Sequence, residues 1–188
     1  KQLGTMGERA KRIAALACSV ASHLGRDSSQ AEQAGLLAKA DLATDMVDEF
    51  PELQGIMGYY YALAQNMDQQ VAAAIKEHYQ PRHAGDALPA SPLGAIIALA
   101  DKLDKLIAIF GIGQIPTGEK DPFALRRAAS GLVHILIEGN YPLNLHVLIQ
   151  QGRALFTHAF TNQQLETDLL QFLFERVKTF YHEQKIPY

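Results

Sequence analysis

An all-α fold, a compact helical bundle without significant β-sheet, is what this sequence predicts. Three observations predict it. Apolar residues recur every three or four positions along nearly the whole chain. Helix-start signals precede these runs, and Gly or Pro closes them. No stretch alternates apolar and polar residues as a half-buried strand does, and there is no internal repeat or low-complexity segment.

The elements follow in order. Thr5 and Glu8 form a Thr-x-x-Glu capping box. Ile13, Leu16, Ala17, Val20 and Leu24 continue at helical spacing, and Gly25 ends the run. Ser29 and Glu32 read as a second capping box, opening a helix with Leu36, Leu37 and Ala40 that fades near Phe50-Pro51. Pro51 suits the first turn of a third, short helix. Val71, Ala74, Ile75 and His78 share one helical face. A loop punctuated by Pro81, Gly85 and Pro89 leads to Ser91-Pro92, an N-cap followed by an N1 proline. The helix beyond carries Leu93, Ile96, Ile97, Ala100, Leu103, Ile107 and Phe110, and Gly111-Ile112-Gly113 stops it. Asp121-Pro122 opens another helix through Leu136, broken at Asn140-Tyr141-Pro142. Two more follow from Leu143, the second marked by a Thr161-x-x-Gln164 capping box. The best internal boundary is near Gly139-Asn140, giving regions 1–139 and 140–188.

Bulk properties narrow the function. At 188 residues and 48% apolar composition, the chain buries a core without disulfides. Its single cysteine, Cys18, lies in an apolar-periodic segment and is expected to pack; one cysteine fits a reducing cytoplasm. A net charge of −3 lacks the overall basicity of a free-standing nucleic-acid module, so any RNA contact needs a local patch. No membrane span or signal peptide is readable. Beginning at Lys1 and stopping just past a helical pattern, the chain reads as an excised fragment.

Several motifs fail on chemistry. Gly111-x-Gly113 follows a helix rather than a strand, with Pro116 where a dinucleotide fingerprint needs its third glycine. Gly113-x-x-x-x-Gly118 is followed by Glu119, which repels phosphate where a P-loop needs lysine. His78 and His83, with Asp86, are separated by Pro81 and share no regular helix face, so two surface-loop histidines are the simpler reading.

A further constellation resembles the HD phosphohydrolase superfamily, all-helical enzymes whose histidines and aspartates bind metal. Ala98-Leu99-Ala100-Asp101-Lys102-Leu103 resembles the segment with the late aspartate. Glu77-His78-Tyr79 resembles one with a later histidine, and Gly35 through Asp41 the segment ending in the His-Asp pair. The pair itself is missing. Aligned to Ala38-Lys39, both ligands are gone; aligned to Ala40-Asp41, the histidine is gone. Arg9 and Arg12 stand where the first histidine belongs. Asp41, His78 and Asp101 are thus vestigial positions that hold a divalent ion poorly. His78 and Asp101 either meet in a buried hydrogen bond or ion pair, or serve separately. Lys105 is spaced for an i,i+4 pair with Asp101.

The stretch from Lys39 to about Leu136 carries a more specific resemblance. It includes Glu49-Phe50-Pro51-Glu52-Leu53-Gln54-Gly55, Glu77-His78-Tyr79-x-Pro81 and Ala100-Asp101-Lys102-Leu103-Asp104. It continues with Phe110-Gly111-Ile112-Gly113-x-x-Pro116-Thr117-Gly118 and Asp121-Pro122-Phe123-Ala124-Leu125-Arg126-Arg127. This series is similar to the HD-like domain of the bacterial glycyl-tRNA synthetase β subunit family. Tyr59, where the family often has arginine, and His134, where a basic residue is common, depart from it.

The resemblance implies a cytoplasmic α2β2 glycine–tRNA ligase that uses ATP and Mg, with adenylation on the α subunit and tRNA(Gly) bound with help from β. The segment then carries no catalytic residue, cofactor or metal of its own, and residues 140–188 lead toward the anticodon-binding region. The alternative is a metal-dependent HD-type phosphohydrolase; a third option is a domain that only bridges others. Phosphate contact requires Lys or Arg. The candidates are Arg82, Lys102, Lys105, Lys120, Arg126 and Arg127, each of which equally fits a solvated helix face or a salt bridge.

Overall fold

The computed structural model describes residues 3–117 and 121–185. Among the described residues there are nine α-helices: α1 (Met6–His23), α2 (Ser28–Leu37), α3 (Asp45–Glu49), α4 (Ile56–Ala64), α5 (Gln69–Glu77), α6 (Pro92–Gly111), α7 (Leu125–Glu138), α8 (Leu145–Ala154) and α9 (Leu165–Glu183). Two 3-10 turns, Ala40–Ala43 and Pro51–Leu53, flank α3. No strand occurs among these residues beyond an isolated bridge at Thr117. None of the helices is long and apolar enough to cross a membrane.

Helix α6 is the axis of the bundle. Every residue from Leu93 to Gly111 except Lys105 is buried, as expected of a helix surrounded on all sides. Helices α1, α2, α5, α7, α8 and α9 all pack against it. One continuous core results, reaching from Ile13 and Leu16 of α1 through Ile97 and Phe110 of α6 to Leu169 and Leu173 of α9. Gly35 of α2 allows the closest helix approach: a Cβ there would stand 2.6 Å from Ala14 Cα of α1.

Several helix boundaries follow the sequence signals directly. The Thr5–Glu8 box forms in both directions, and Ser91 caps α6 ahead of Pro92. Gly25 and Gly113 leave α1 and α6 in the left-handed region, at φ +63° and +75°.

Others differ, for identifiable reasons. Helix α2 is capped by Asp27 rather than Ser29, because the Asp27 carboxylate accepts from the Ser29 and Gln30 amides at 2.8 and 3.2 Å. It stops at Leu37 instead of running toward Phe50. Beyond it Asp41 Oδ2 accepts from the Gly55 and Gly58 amides at 2.6 and 3.2 Å, which pins the chain to the start of α4. Helix α7 begins at Leu125, a turn later than expected, with the Asp121 carboxylate accepting from the Leu125 and Arg126 amides. Thr161 does not cap α9; its hydroxyl donates to the Gly111 carbonyl at the end of α6. His78 is fully buried, not a surface-loop histidine, because it closes the apolar face of α5.

Candidate functional site: a basic cleft over a buried lysine

The turn after α2 carries Lys39 into the core beside the end of α5 and the middle of α6. Its ammonium lies 2.7 Å from His78 Nε2 and donates to Asp101 Oδ2 at 3.0 Å. It also stands over the Tyr79 ring, whose centroid is 4.0 Å away. The ammonium is thereby surrounded by an imidazole, a carboxylate and an aromatic face. His78 Nδ1 sits 2.6 Å from the Ile75 carbonyl, so that nitrogen carries the proton and Nε2 accepts from lysine.

A second layer of charge surrounds this centre. Arg9 of α1 donates to Asp101 Oδ1 at 2.9 Å. Arg12, one turn on, grips Asp104 through Nε at 2.6 Å and Nη2 at 3.4 Å, with its guanidinium over the Phe156 ring. Lys102 is buried, and its ammonium donates to the Gln80 carbonyl at 2.7 Å and the His78 carbonyl at 3.4 Å. Gly131 of α7 leaves room for it, since a Cβ there would come within 2.9 Å of Lys102 Cε.

Burial and neighbouring charge set the protonation states. Burial, then the Lys39 cation, keep His78 well below its ordinary pKa and therefore neutral. Burial lowers the Lys39 pKa, and Asp101 opposes the shift. For Asp101, burial alone would raise the pKa, but Lys39 and Arg9 outweigh it and hold the carboxyl below the usual range. Burial lowers Lys102 to about 8. Tyr79 is raised, first by burial and then by Asp41.

Above this cluster opens a cleft of about 420 Å³. Its charged lining is Arg9, Lys39, Arg82, Lys102, Lys105 and Arg127 against Asp101 alone. Two sets of residues that the sequence treats separately are thus brought together. His78 and Asp101 form its floor, and they meet through Lys39 rather than directly. Arg82, Lys102, Lys105 and Arg127 line its walls, with Arg82 and Arg127 exposed, Lys105 half-buried and Lys102 buried.

The remaining candidates stand elsewhere. Asp41 is buried at the start of α4 and lines a different pocket. Arg126 is half-buried next to the cleft-lining Arg127. Lys120 lies outside the described residues. Lys105 does not form the expected ion pair with Asp101, whose carboxylate is taken by Arg9 and Lys39.

The sequence reading did not anticipate Lys39 as a buried cation, the wall residue Tyr79 or the Arg12–Asp104 pair. Partners in these contacts lie 39 to 92 positions apart, beyond any local pattern. The available signal was a lysine in an apolar-periodic stretch followed downstream by an aspartate within another. Chemically, an ammonium held between an imidazole and a carboxylate is a fixed internal cation. Among the described residues, no three His, Cys, Asp or Glu side chains are arranged to hold a metal ion.

The whole chain, residues 1–188, matches the family model described as glycyl-tRNA synthetase beta subunit. It is 49% identical over 186 residues to a glycine–tRNA ligase beta subunit of Alteromonas mediterranea, covering 99% of this chain and 27% of that relative. It is 51% identical over 183 residues to that of a Janthinobacterium species, covering 97% and 26%. A third, from Thiobacillus denitrificans, is 50% identical over 185 residues, covering 97% and 26%. The chain spans about a quarter of the length of these curated relatives.

Proposed function

The chain belongs to the glycyl-tRNA synthetase beta subunit family, and on that premise we propose that it is the segment of a glycine–tRNA ligase β subunit that contacts tRNA(Gly) through its basic cleft. In this reading the complete enzyme is cytoplasmic and pairs β with an α subunit as α2β2. It uses ATP and Mg to join glycine to tRNA, and this segment supplies binding and scaffolding rather than chemistry.

The observation that carries the reading is the segregation of charge. The chain is net −3, yet six cationic side chains and one carboxylate line a single cleft. Such a local surplus attracts the phosphate backbone and displaces its counterions. Residues 1–139 are read as an HD-like domain in which the metal has been replaced by lysine. Support comes from the meeting of His78 and Asp101, two of the three vestigial positions, through Lys39, which stands in the pair's place in one of its two alignments, with Arg9 on Asp101. Residues 140–188 continue the bundle toward the anticodon-binding region.

The test uses full-length β assembled with its α subunit, titrated with tRNA(Gly) across a salt series. Changing Arg82, Lys105 or Arg127 singly to Gln should weaken binding severalfold. Each change should also lower the slope of log K against log salt by about 1. Unchanged affinity and slope in all three variants would remove the cleft from the RNA interface.

A further inference from the structure

We infer that the basic cleft receives a single phosphomonoester group, the 5′ end of an RNA strand, gripped at the mouth by Arg82, Lys105 and Arg127. The inference rests on the reading of the cleft as an RNA-contacting surface and narrows it from backbone to strand end.

Shape is the first argument. A cleft of about 420 Å³ has the capacity of a small-ligand pocket. An RNA duplex presents a wide, shallow groove and meets proteins over a broad front. Arg82 and Arg127 are exposed at the rim of the cleft. Lys105, by contrast, is half-buried on the α6 wall inside it, a position suited to a small group that enters.

Charge is the second. The inner cations are already committed: Lys39 to His78 and Asp101, Lys102 to two carbonyls, Arg9 to Asp101. Among the described residues, Lys105 at the mouth makes no ion pair within 4 Å, and Arg127 donates to the Arg82 carbonyl at 3.4 Å. Asp86 and Asp121 stand nearby without lining the cleft. The Asp86 carboxylate accepts from the Arg82 and Ala87 amides, and that of Asp121 from the Leu125 and Arg126 amides. The cleft lining as a whole keeps six cations against the single carboxylate of Asp101. A phosphomonoester carries about −1.5 to −2 at pH 7 and three acceptor oxygens, against a single charge on an internal diester. Lys102, buried without a carboxylate on its ammonium, adds a fixed positive field behind the group.

The experiment compares two tRNA(Gly) transcripts, one with a 5′-monophosphate and one with a 5′-hydroxyl. Binding to the α–β holoenzyme is measured at fixed salt for wild type and for the Lys105→Gln/Arg127→Gln double variant. Removing the phosphate should weaken wild-type binding about tenfold, the worth of one charge-assisted contact. The double variant should bind both transcripts alike. Arg82→Gln, at an exposed side chain on the loop before α6, is the second variant and should narrow the discrimination in the same direction. Equal binding of the two transcripts by wild type overturns the inference. If the double variant then weakens both equally, the cleft meets internal phosphates, and the broader reading stands without the narrower one. If it binds both as wild type does, both readings fall. Labelled AMP provides the arm for a free nucleotide: cleft-dependent AMP binding without transcript discrimination also overturns the assignment to an RNA end.

Discussion

Lys39 decides the character of the site. A buried ammonium is costly unless it is paired and hydrogen-bonded, and here a carboxylate, an imidazole and an aromatic face surround it. Removing it strands Asp101 with Arg9 as its remaining ion-pair partner. Lys39→Ala should therefore destabilise the protein by about 3 kcal/mol, read by urea denaturation. A Lys39→Met/Asp101→Leu double variant should recover much of that loss, since both charges leave together. Additive losses in the pair would mean that the ammonium and carboxylate are not energetically coupled.

Lys102 gives a pH signature at the same scale. Its folded pKa of about 8 lies below the ordinary 10.5, so between those values the unfolded chain binds more protons. Stability contributed by this group accordingly rises with pH from about 8 to 10.5, by on the order of 3 kcal/mol. Below pH 8 the cost of the buried cation is fully present. Lys102→Met should flatten this rise in a series of denaturation curves. An identical slope in wild type and variant would show that the ammonium is better solvated than its two carbonyl partners indicate.

At the scale of elements, helix existence was legible and helix ends were less so. Periodic runs such as Leu93 to Phe110 state their face plainly, because 3.6-residue spacing survives any packing arrangement. Capping signals are shorter and compete. Ser29 lost to Asp27, two residues earlier, and Thr161 spent its hydroxyl on a carbonyl of α6. The site was half legible for the same reason. Composition singled out Arg82, Lys102, Lys105 and Arg127, and family spacing singled out His78 and Asp101. That these form one cleft depends on α5, α6 and α7 meeting, which no local pattern encodes. Helix contact also yields a prediction. A methyl group at residue 35 would collide with the α1 backbone at Ala14, and backbone yields less readily than a side chain. Gly35→Ala should cost about 1–3 kcal/mol despite its better helix propensity, seen as a lower Tm. A raised Tm would mean that α1 and α2 are free to separate.

For the whole molecule, the question is whether residues 1–139 stand alone. Their sequence ends at the break after α7, with Asn140 in the left-handed region at φ +51°. Packing argues otherwise. Leu148 and Ile149 of α8, with Leu165, Leu169, Leu173 and Phe180 of α9, are buried in the same core as α6 and α7. Each such side chain contributes ~1.5–3 kcal/mol when fully buried. Their combined loss, roughly 10 kcal/mol or more, rivals the net stability of a typical domain. Deleting residues 140–188 would also expose the flank of α6 around Phe110, whose ring packs on Phe172 at 5.1 Å. A chain of residues 1–139 should therefore melt broadly and bind a hydrophobic dye, whereas residues 1–188 should melt in one sharp transition. A cooperative melt of the shorter chain without dye binding would show that α8 and α9 are an accessory layer. In that event the cleft, built from α1, α5, α6 and α7 and the turn after α2, would retain its geometry without them.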